Sequence, residues 1–432
     1  MRHDADARHV GLDPNGGPEE RPRDREAVLR SMDRCTKCGI CQAYCPVAAV
    51  TEAFPGPKYS GPQAQRFRVI EPIQESAPAL CSGCGICTSV CPNDVAIADI
   101  ITIARAEMIA GDSNLPLSQR ILNRPDLVGR IGAIAPTIAN AVLGYGLFRG
   151  LAEKLIGIHS QAALPRLEGP TFRRWLERRR QPDGPPIAYF SGCAIEHYDS
   201  SVGIAAIRVL NHLGYHVTVP SRACCSLPML SSGEWGAARR RAEALVDDLA
   251  EVANAGLAIV STSTSCSLTL REKYAAYLSL TTDRAGRVAA AVVDICEFLR
   301  DELAEALEAT LRPLRSRILY HGPCQLRGHR MGQPALELLQ MIPGLEVTPS
   351  EAHCCGVAGT YGYDRDKHDI AMAVGRALFD QIAETEPDVV ICDSETCRWH
   401  IERVTGCPTR HPIELLAASI FEADPRRRNI EE

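Results

Sequence analysis

From residue 186 onward, short apolar runs alternate with longer stretches of mixed polarity, and the whole alternation occurs twice. PIAYF (186–190) and RILYH (317–321) each lead to a cysteine, a helical stretch follows, and YHVTV (215–219) and GLEVTP (344–349) run into an adjacent pair of cysteines. A long helix comes next. The third runs, LAIVSTS (257–263) and DVVICDS (388–394), each end just before a last cysteine. Three strands alternating with helices predict small α/β units with mostly parallel sheets. Because ligands bind at the carboxyl ends of such strands, the four cysteines of each unit are expected at one edge.

The repeat is close in register. Cys193, Cys224, Cys225 and Cys266 are matched by Cys324, Cys354, Cys355 and Cys397, at offsets of 131, 130, 130 and 131 positions, which points to duplication. Residues 186–310 then form the first copy and 311–421 the second. Residues 31–110 are a cysteine-rich module, and 111–185 a cysteine-free helical connector. Residues 1–30 mix Arg, Asp, Glu, Pro and Gly without an apolar core; they read as neither signal peptide nor membrane helix, and as disordered.

Composition alters this picture at one point. With 45% apolar and 23% charged residues, 432 residues suit a soluble protein of two or three domains, and a net charge of -6 gives no reason to expect nucleic acid. The 19 cysteines are the outlier: an odd number in short-spaced groups favours metal ligation in a reducing cytoplasm over a disulfide framework.

CTKCGICQAYCP (35–46) and CSGCGICTSVCP (81–92) both read C-x2-C-x2-C-x3-C-P, the bacterial [4Fe–4S] pattern in which the fourth cysteine of each run serves the other run's cluster. Cys35, Cys38, Cys41 and Cys91 are therefore assigned to one cluster, and Cys81, Cys84, Cys87 and Cys45 to the other. Gly39, Gly83 and Gly85 allow backbone amides to approach the sulfurs. Zinc sites space cysteines in two separated pairs, so zinc is disfavoured.

Adjacent thiolates such as Cys224–Cys225 and Cys354–Cys355 repel unless a metal neutralises them, so the two copies offer room for one or two further iron–sulfur clusters; buried structural cysteines are the bland alternative. HCCGVAGTYG places Gly356, Gly359 and Gly362 around the second pair, whereas the first has CCSLP, which favours the second copy. His321, His353 and His411 are candidate ligands or proton carriers, although histidines beside cysteine motifs more often donate hydrogen bonds from behind. Cys296 and Cys407 lack partners at any ligand spacing and read as structural. GYGLFRG mimics a dinucleotide loop, but no strand leads into it.

The paired cysteine runs, the intervening PGPKYSGPQAQRFR, and the later TFRRW, CCGVAGTYGY, ETCRWHIE and HPIELLA resemble the CCG-domain iron–sulfur proteins, which include heterodisulfide reductase and glycolate oxidase subunits. Within that family the resemblance is to iron–sulfur subunits of anaerobic glycerol-3-phosphate dehydrogenases, and it spans residues 31–421. The resemblance implies a mixed α+β and α/β architecture, with a helical two-cluster ferredoxin-like domain followed by two duplicated α/β CCG-type domains. It also implies an electron-transfer role, taking electrons from flavin-containing dehydrogenase subunits toward a menaquinone-like membrane quinone, in a protein peripheral on the inner face of the membrane. Catalytic disulfide reduction, a glycolate or lactate oxidase role, and a metal-free docking block are the alternatives. The full CCG pattern ends C-x2-C, but Ser263 precedes Cys266 and Ser394 precedes Cys397, leaving four of five ligands per copy. Cys392 substitutes only if the strand end shifts by two residues.

Between Arg130 and Arg149, IGAIAPTIANAVLGYGLF carries no charge but holds Pro136, Asn140 and three glycines, which makes it a poor spanning helix. A bent interfacial segment is expected, with Arg130, Arg149 and Lys154 at phosphate level; a helical pair packed on the ferredoxin-like module is the other reading. Arg173, Arg174 and Arg178 to Arg180 form a basic run, either solvated or facing anionic lipid.

Overall fold

A strand covered on both faces by helices reads as an unbroken apolar run. That is what Ile187, Ala188 and Tyr189 do in strand β1 (Pro186–Tyr189), where all three are buried. In this computed structural model, which describes residues 24–71, 76–111, 115–169, 171–221 and 223–421, β1 joins β2 (His216–Thr218), β3 (Ile259–Ser261) and β4 (Val292–Asp294) in a parallel sheet of order β2-β1-β3-β4. Ile187 lies beside Val217, and Ile259 beside Val292. The second copy repeats the plan. Strands β5 (Ser316–Tyr320), β6 (Leu345–Pro349), β7 (Val389–Ile391) and β8 (Thr409–Arg410) run parallel in the order β6-β5-β7-β8, with Ile318 between Val347 and Val389.

Three strands per copy are thus too few. The fourth in each sheet escapes the hydrophobic pattern for a local reason. β4 is three residues set between the helices Asp283–Ala291 and Ile295–Glu308 without a turn residue on either side, and β8 is only two residues long. In both sheets the order reverses between the first and third strands, the topological switch point where such sheets open a crevice.

The cysteine-rich module is helical. The helices Ile40–Ala43 and Ile86–Ser89 are single turns, and the helix Ile97–Gly111 buries Ile97, Ile100, Ile101 and Ile103. These isoleucines share one core with Leu245, Tyr274 and Leu278 of the first copy, each fully buried aliphatic side chain contributing roughly 1.5–3 kcal/mol. A second core runs from Val260, Ile295 and Phe298 to Ile318, Val389 and Ile413, so the copies are packed together and not merely tethered. The expectation of disorder over residues 1–30 is corrected at its end. Residues 1–23 lie outside the described residues, but Arg25–Arg30 is a helix. The Asp24 carboxylate accepts from the Ala27 amide at 2.7 Å as its cap, and Val28 is buried.

The uncharged segment runs from the end of the helix Pro125–Gly132 through the helix Pro136–Gly144, the two bent by 115° at their break, into the start of the helix Gly146–Ile156. Among the described residues no single helix is long and apolar enough to cross a membrane. The bent pair rests on the edge of the first copy: a Cβ on Gly129 would fall 2.6 Å from the His197 ring, and Asn140 exchanges hydrogen bonds with the Leu167 backbone at 2.8 Å. Its outer face is apolar and uncovered, with Ile134 84% and Leu147 75% exposed, and Ile131, Ile138 and Tyr145 beside them. One basic anchor is corrected. Arg149 turns inward, its guanidinium donating to the carbonyls of Ser160 and Ala162 in the loop after its helix and of Leu143 in the helix before it. In the other basic run, Arg173 donates to the Val219 carbonyl at 3.0 Å and Arg179 lies over the Trp175 ring.

Candidate metal centres

The two cysteine runs fold alike because each carries a glycine where a left-handed turn is needed. Gly39 (φ +87°) and Gly85 (φ +79°) each open a one-turn helix that carries the third cysteine of its run, Cys41 or Cys87. The chain then leaves toward the other run. Cys41 is pushed up to about 11 by burial and by its neighbours Cys35, Cys91 and Cys38, while Cys87 is raised by burial and by Cys84, Cys81 and Cys45. The fourth cysteine of each run thus sits with the first three of the other. Backbone amides point at three of the sulfurs: Ala48 at Cys45 (3.5 Å), Gly83 at Cys81 (3.4 Å) and Val95 at Cys91 (3.5 Å).

In the first copy the chain leaves β1 into Cys193, β2 into Cys224 and Cys225, and β3 into Cys266, all at the switch point. The Cys193 and Cys224 sulfurs are 3.5 Å apart, and Cys225 bonds Cys224 and Cys266. The second copy brings Cys324, Cys354, Cys355 and Cys397 together in the same way, with Cys355 and Cys397 at 3.0 Å. Thiol donation from neighbours holds Cys224 and Cys354 well below the usual cysteine range, while Cys193, Cys225, Cys324 and Cys355 are pushed well above it by those same bonds and by burial. Matching amides serve Cys224 and Cys354, Ser226 N–H to Cys224 at 3.4 Å and Gly356 N–H to Cys354 at 3.3 Å; Cys397 is also held low, by donation from Cys355 and Cys392. Ser226 (φ +62°) adopts the left-handed conformation that Gly356 (φ +90°) takes without strain, which is the structural cost of CCSLP.

Four groups of four closely set thiols, most of them buried, are donor sets that need positive charge at their centres before all four can ionise. Iron, for which soft thiolates are natural ligands, would supply it, so the residues fit iron–sulfur clusters. Among the described residues no three His, Cys, Asp or Glu side chains close on one point as a single ion requires.

The serines at the fifth-ligand positions stay beside the thiols: Ser263 Oγ accepts from the Cys266 amide at 3.4 Å, and Ser394 Oγ lies 3.4 Å from Thr396 Oγ1 and hydrogen-bonds Cys397. The second copy has a fifth thiol nonetheless. Cys392, fully buried, donates toward Cys397. Of the histidines, His321 is buried near Cys397 and Cys354 with Nε2 unpartnered; His411 instead bonds the Thr262 carbonyl at 2.8 Å, and the His353 carbonyl accepts from Arg327. Sequence reading missed His400, which is buried near Cys397 with an unpartnered Nε2. It also missed Glu395, whose carboxylate reaches from the second copy to Ser263 Oγ at 3.3 Å and faces Cys193. Neither has a spacing signal.

The four groups stand in file. Cys84 of the ferredoxin-like module neighbours Cys354 and Cys324, and Tyr361 of the second copy donates to the Leu80 carbonyl at 3.0 Å. Glu395 links the second copy to the first. Tyr198, raised by burial and by Cys193, donates to the Pro125 carbonyl at 2.6 Å, so the first copy's thiols lie beneath the bent helix pair.

Residues 31–95 match the 4Fe-4S dicluster domain family, and residues 187–271 and 318–402 match the cysteine-rich domain family. Over 397 residues, 90% of this chain and 99% of the relative, the sequence is 34% identical to the C subunit of the anaerobic glycerol-3-phosphate dehydrogenase of Escherichia coli. It is 31% identical over 236 residues (53% of this chain, 44% of the relative) to the B subunit of the fumarate reductase (CoM/CoB) of Methanothermobacter marburgensis. It is also 24% identical over 405 residues (86% and 88%) to the D subunit of the dihydromethanophenazine:CoB--CoM heterodisulfide reductase of Methanosarcina acetivorans.

Proposed function

Because the chain belongs to the family of the anaerobic glycerol-3-phosphate dehydrogenase C subunits, and so is an iron–sulfur electron-transfer subunit, we propose that it conveys electrons from flavin-containing partner subunits oxidising glycerol 3-phosphate to a menaquinone-like quinone. It would work as a peripheral protein on the inner face of the membrane. The file of four thiol groups, ending under an exposed apolar surface, carries this reading. Cys35, Cys38, Cys41 and Cys91 would hold one [4Fe–4S] cluster and Cys81, Cys84, Cys87 and Cys45 a second. Cys324, Cys354, Cys355 and Cys397, and Cys193, Cys224, Cys225 and Cys266, would hold further ones. When bound, such clusters accept and release single electrons.

The chain's own part is to bury the sulfurs, aim amides at them and keep neighbouring groups adjacent. Arg105 does this for the second run, its guanidinium donating to the carbonyls of Pro78 and Cys81 and, at 2.7 Å, of Ser231. Iron and acid-labile sulfide in anaerobically purified protein test the proposal. About eight irons per chain means the ferredoxin-like pair alone, and about twelve or sixteen adds the copies. Replacing Cys354 and Cys355 by serine should lower the iron and stop quinone reduction while flavin reduction continues; surviving quinone reduction would refute the route through the second copy.

Cys392 supports a second reading. With five thiols, the second copy has the donor number associated with disulfide reduction, and the relative named for heterodisulfide chemistry aligns over both copies. Thiol production from added disulfides, lost in Cys392→Ala, would favour it over the relay.

A further inference from the structure

Beside the bent helices, the helices Ile97–Gly111, Leu117–Leu122, Pro125–Gly132 and Trp235–Asn254 enclose a cavity of about 800 Å³, large enough for a lipid headgroup and the first part of its chains. No group assigned to the relay lines it. Its walls are apolar, formed by Ile109, Leu115, Ile121, Leu127, Val128 and Ile131. The last three belong to the helix Pro125–Gly132 and are also exposed, so the cavity is continuous with the uncovered apolar face that carries Ile134 and Leu147.

Its rim is basic. Four arginines, Arg25, Arg120, Arg124 and Arg240, stand against two glutamates. Both glutamates are engaged: Glu107 pairs with Arg25 at 2.7 Å and Glu234 with Arg124 at 2.5 Å. Among the described residues Arg120 and Arg240 have no carboxylate partner, which leaves two guanidinium groups at the mouth of an apolar pocket. A neutral quinone has no use for two unpaired cations. A molecule with apolar chains and an anionic head satisfies both features, because a guanidinium grips a phosphate with paired hydrogen bonds.

We propose that this cavity binds one anionic phospholipid from the membrane, with its acyl chains along the Leu127–Ile131 wall and its phosphate at Arg120 and Arg240. The inference rests on the membrane-contact reading and adds a lipid preference to it.

Native mass spectrometry of the cluster-loaded full chain, with dioctanoyl phosphatidylglycerol, dioctanoyl phosphatidylcholine or a decyl-tailed quinone, tests the pocket, and sedimentation with vesicles tests the membrane reading separately. The expected result is one phosphatidylglycerol bound at least tenfold more tightly than phosphatidylcholine. Arg120→Ala with Arg240→Ala should abolish that preference, Arg120→Lys with Arg240→Lys should retain most of it, and both should keep the visible cluster absorbance. A triple change of Ile134, Ile138 and Leu147 to serine should stop vesicle sedimentation yet leave short-chain phosphatidylglycerol binding intact. Equal affinity for the two lipids, displacement of the lipid by the quinone, or an undiminished preference in the alanine variant would overturn the proposal. So would binding seen only after residues 2–23 are removed, which would make that segment the occupant, or a lipid-free dimer.

Discussion

Arg398 offers the sharpest test of how the two copies are held together. It lies on the helix Glu395–Thr405 with 1% of its surface exposed, and its Nη2 is 2.6 Å from Asp199 Oδ2 of the first copy; both side chains are sealed from solvent. Burial pulls its pKa down, but Asp199 and Glu414 more than offset that, so the guanidinium stays charged. Its Nη1 donates to the Cys392 carbonyl at 2.7 Å, tying the ion pair to the end of the strand before Cys397. Arg398→Met removes the cation paired with Asp199 Oδ2 and leaves that carboxylate buried with weaker partners such as the Ser201 hydroxyl at 3.4 Å, which costs roughly 3–5 kcal/mol for a fully buried pair. The orphaned Cys392 carbonyl falls partly within the same figure. At about 1 °C per kcal/mol for a chain of 432 residues, the melting temperature should fall by roughly 3–5 °C. The assay is thermal unfolding followed in parallel by far-ultraviolet circular dichroism and visible cluster absorbance. Adding Asp199→Asn removes the stranded charge, so the double variant should recover about half of the loss. A fall of under about 2 °C in the single variant, or strictly additive losses in the double one, would mean that the pair does not staple the copies.

Buried carboxyls set a pH dependence. Asp294 is pushed up to about 8 by burial and by Asp393, which is itself raised to about 6 by burial. Since the folded protein holds the Asp294 proton more tightly than the unfolded chain, this contribution is complete below about pH 4. It is lost as pH rises toward 8, at up to about 1.4 kcal/mol per unit. Asp294→Asn should flatten the fall in melting temperature between about pH 5 and 8 by that slope, and an unchanged slope would count against it. The glycines should divide by surroundings: a Cβ on Gly356 would meet the Ala371 carbonyl oxygen at 2.0 Å, so Gly356→Ala should lower iron content and stability together. Gly39→Ala, with nothing within 4 Å, should show only the backbone strain of about 1–2 kcal/mol and keep its iron. Changing Ile134, Ile138 and Leu147 to serine should release the protein from vesicles without altering its melting temperature, because none of the three is buried.

The legible parts of this chain were local ones. Ligand spacing within ten residues, with Gly39 and Gly85 at the left-handed turns, is written in consecutive letters, and so are the buried runs of β1, β3, β5 and β7. The duplication could be read because both copies keep the same distances between a strand end and its cysteine. β4 and β8 could not, since two or three residues between helices carry no period. The turn of Arg149 into the Ser160–Ala162 loop, contrary to its expected place at lipid phosphates, depended on which carbonyls the fold brings within reach of its guanidinium.

What the sequence alone determined is therefore the inventory: a two-run cysteine module, a repeated α/β unit, and an uncharged segment too broken to span. Tertiary structure decided the order. Cys84 beside Cys354, Glu395 against Ser263, Arg398 on Asp199 and Tyr198 on Pro125 join positions 73 to 270 residues apart. Such pairings depend on how two sheets and a helical module bury their apolar faces against one another. No local pattern encodes them, and they are what turn four separate thiol groups into a single file.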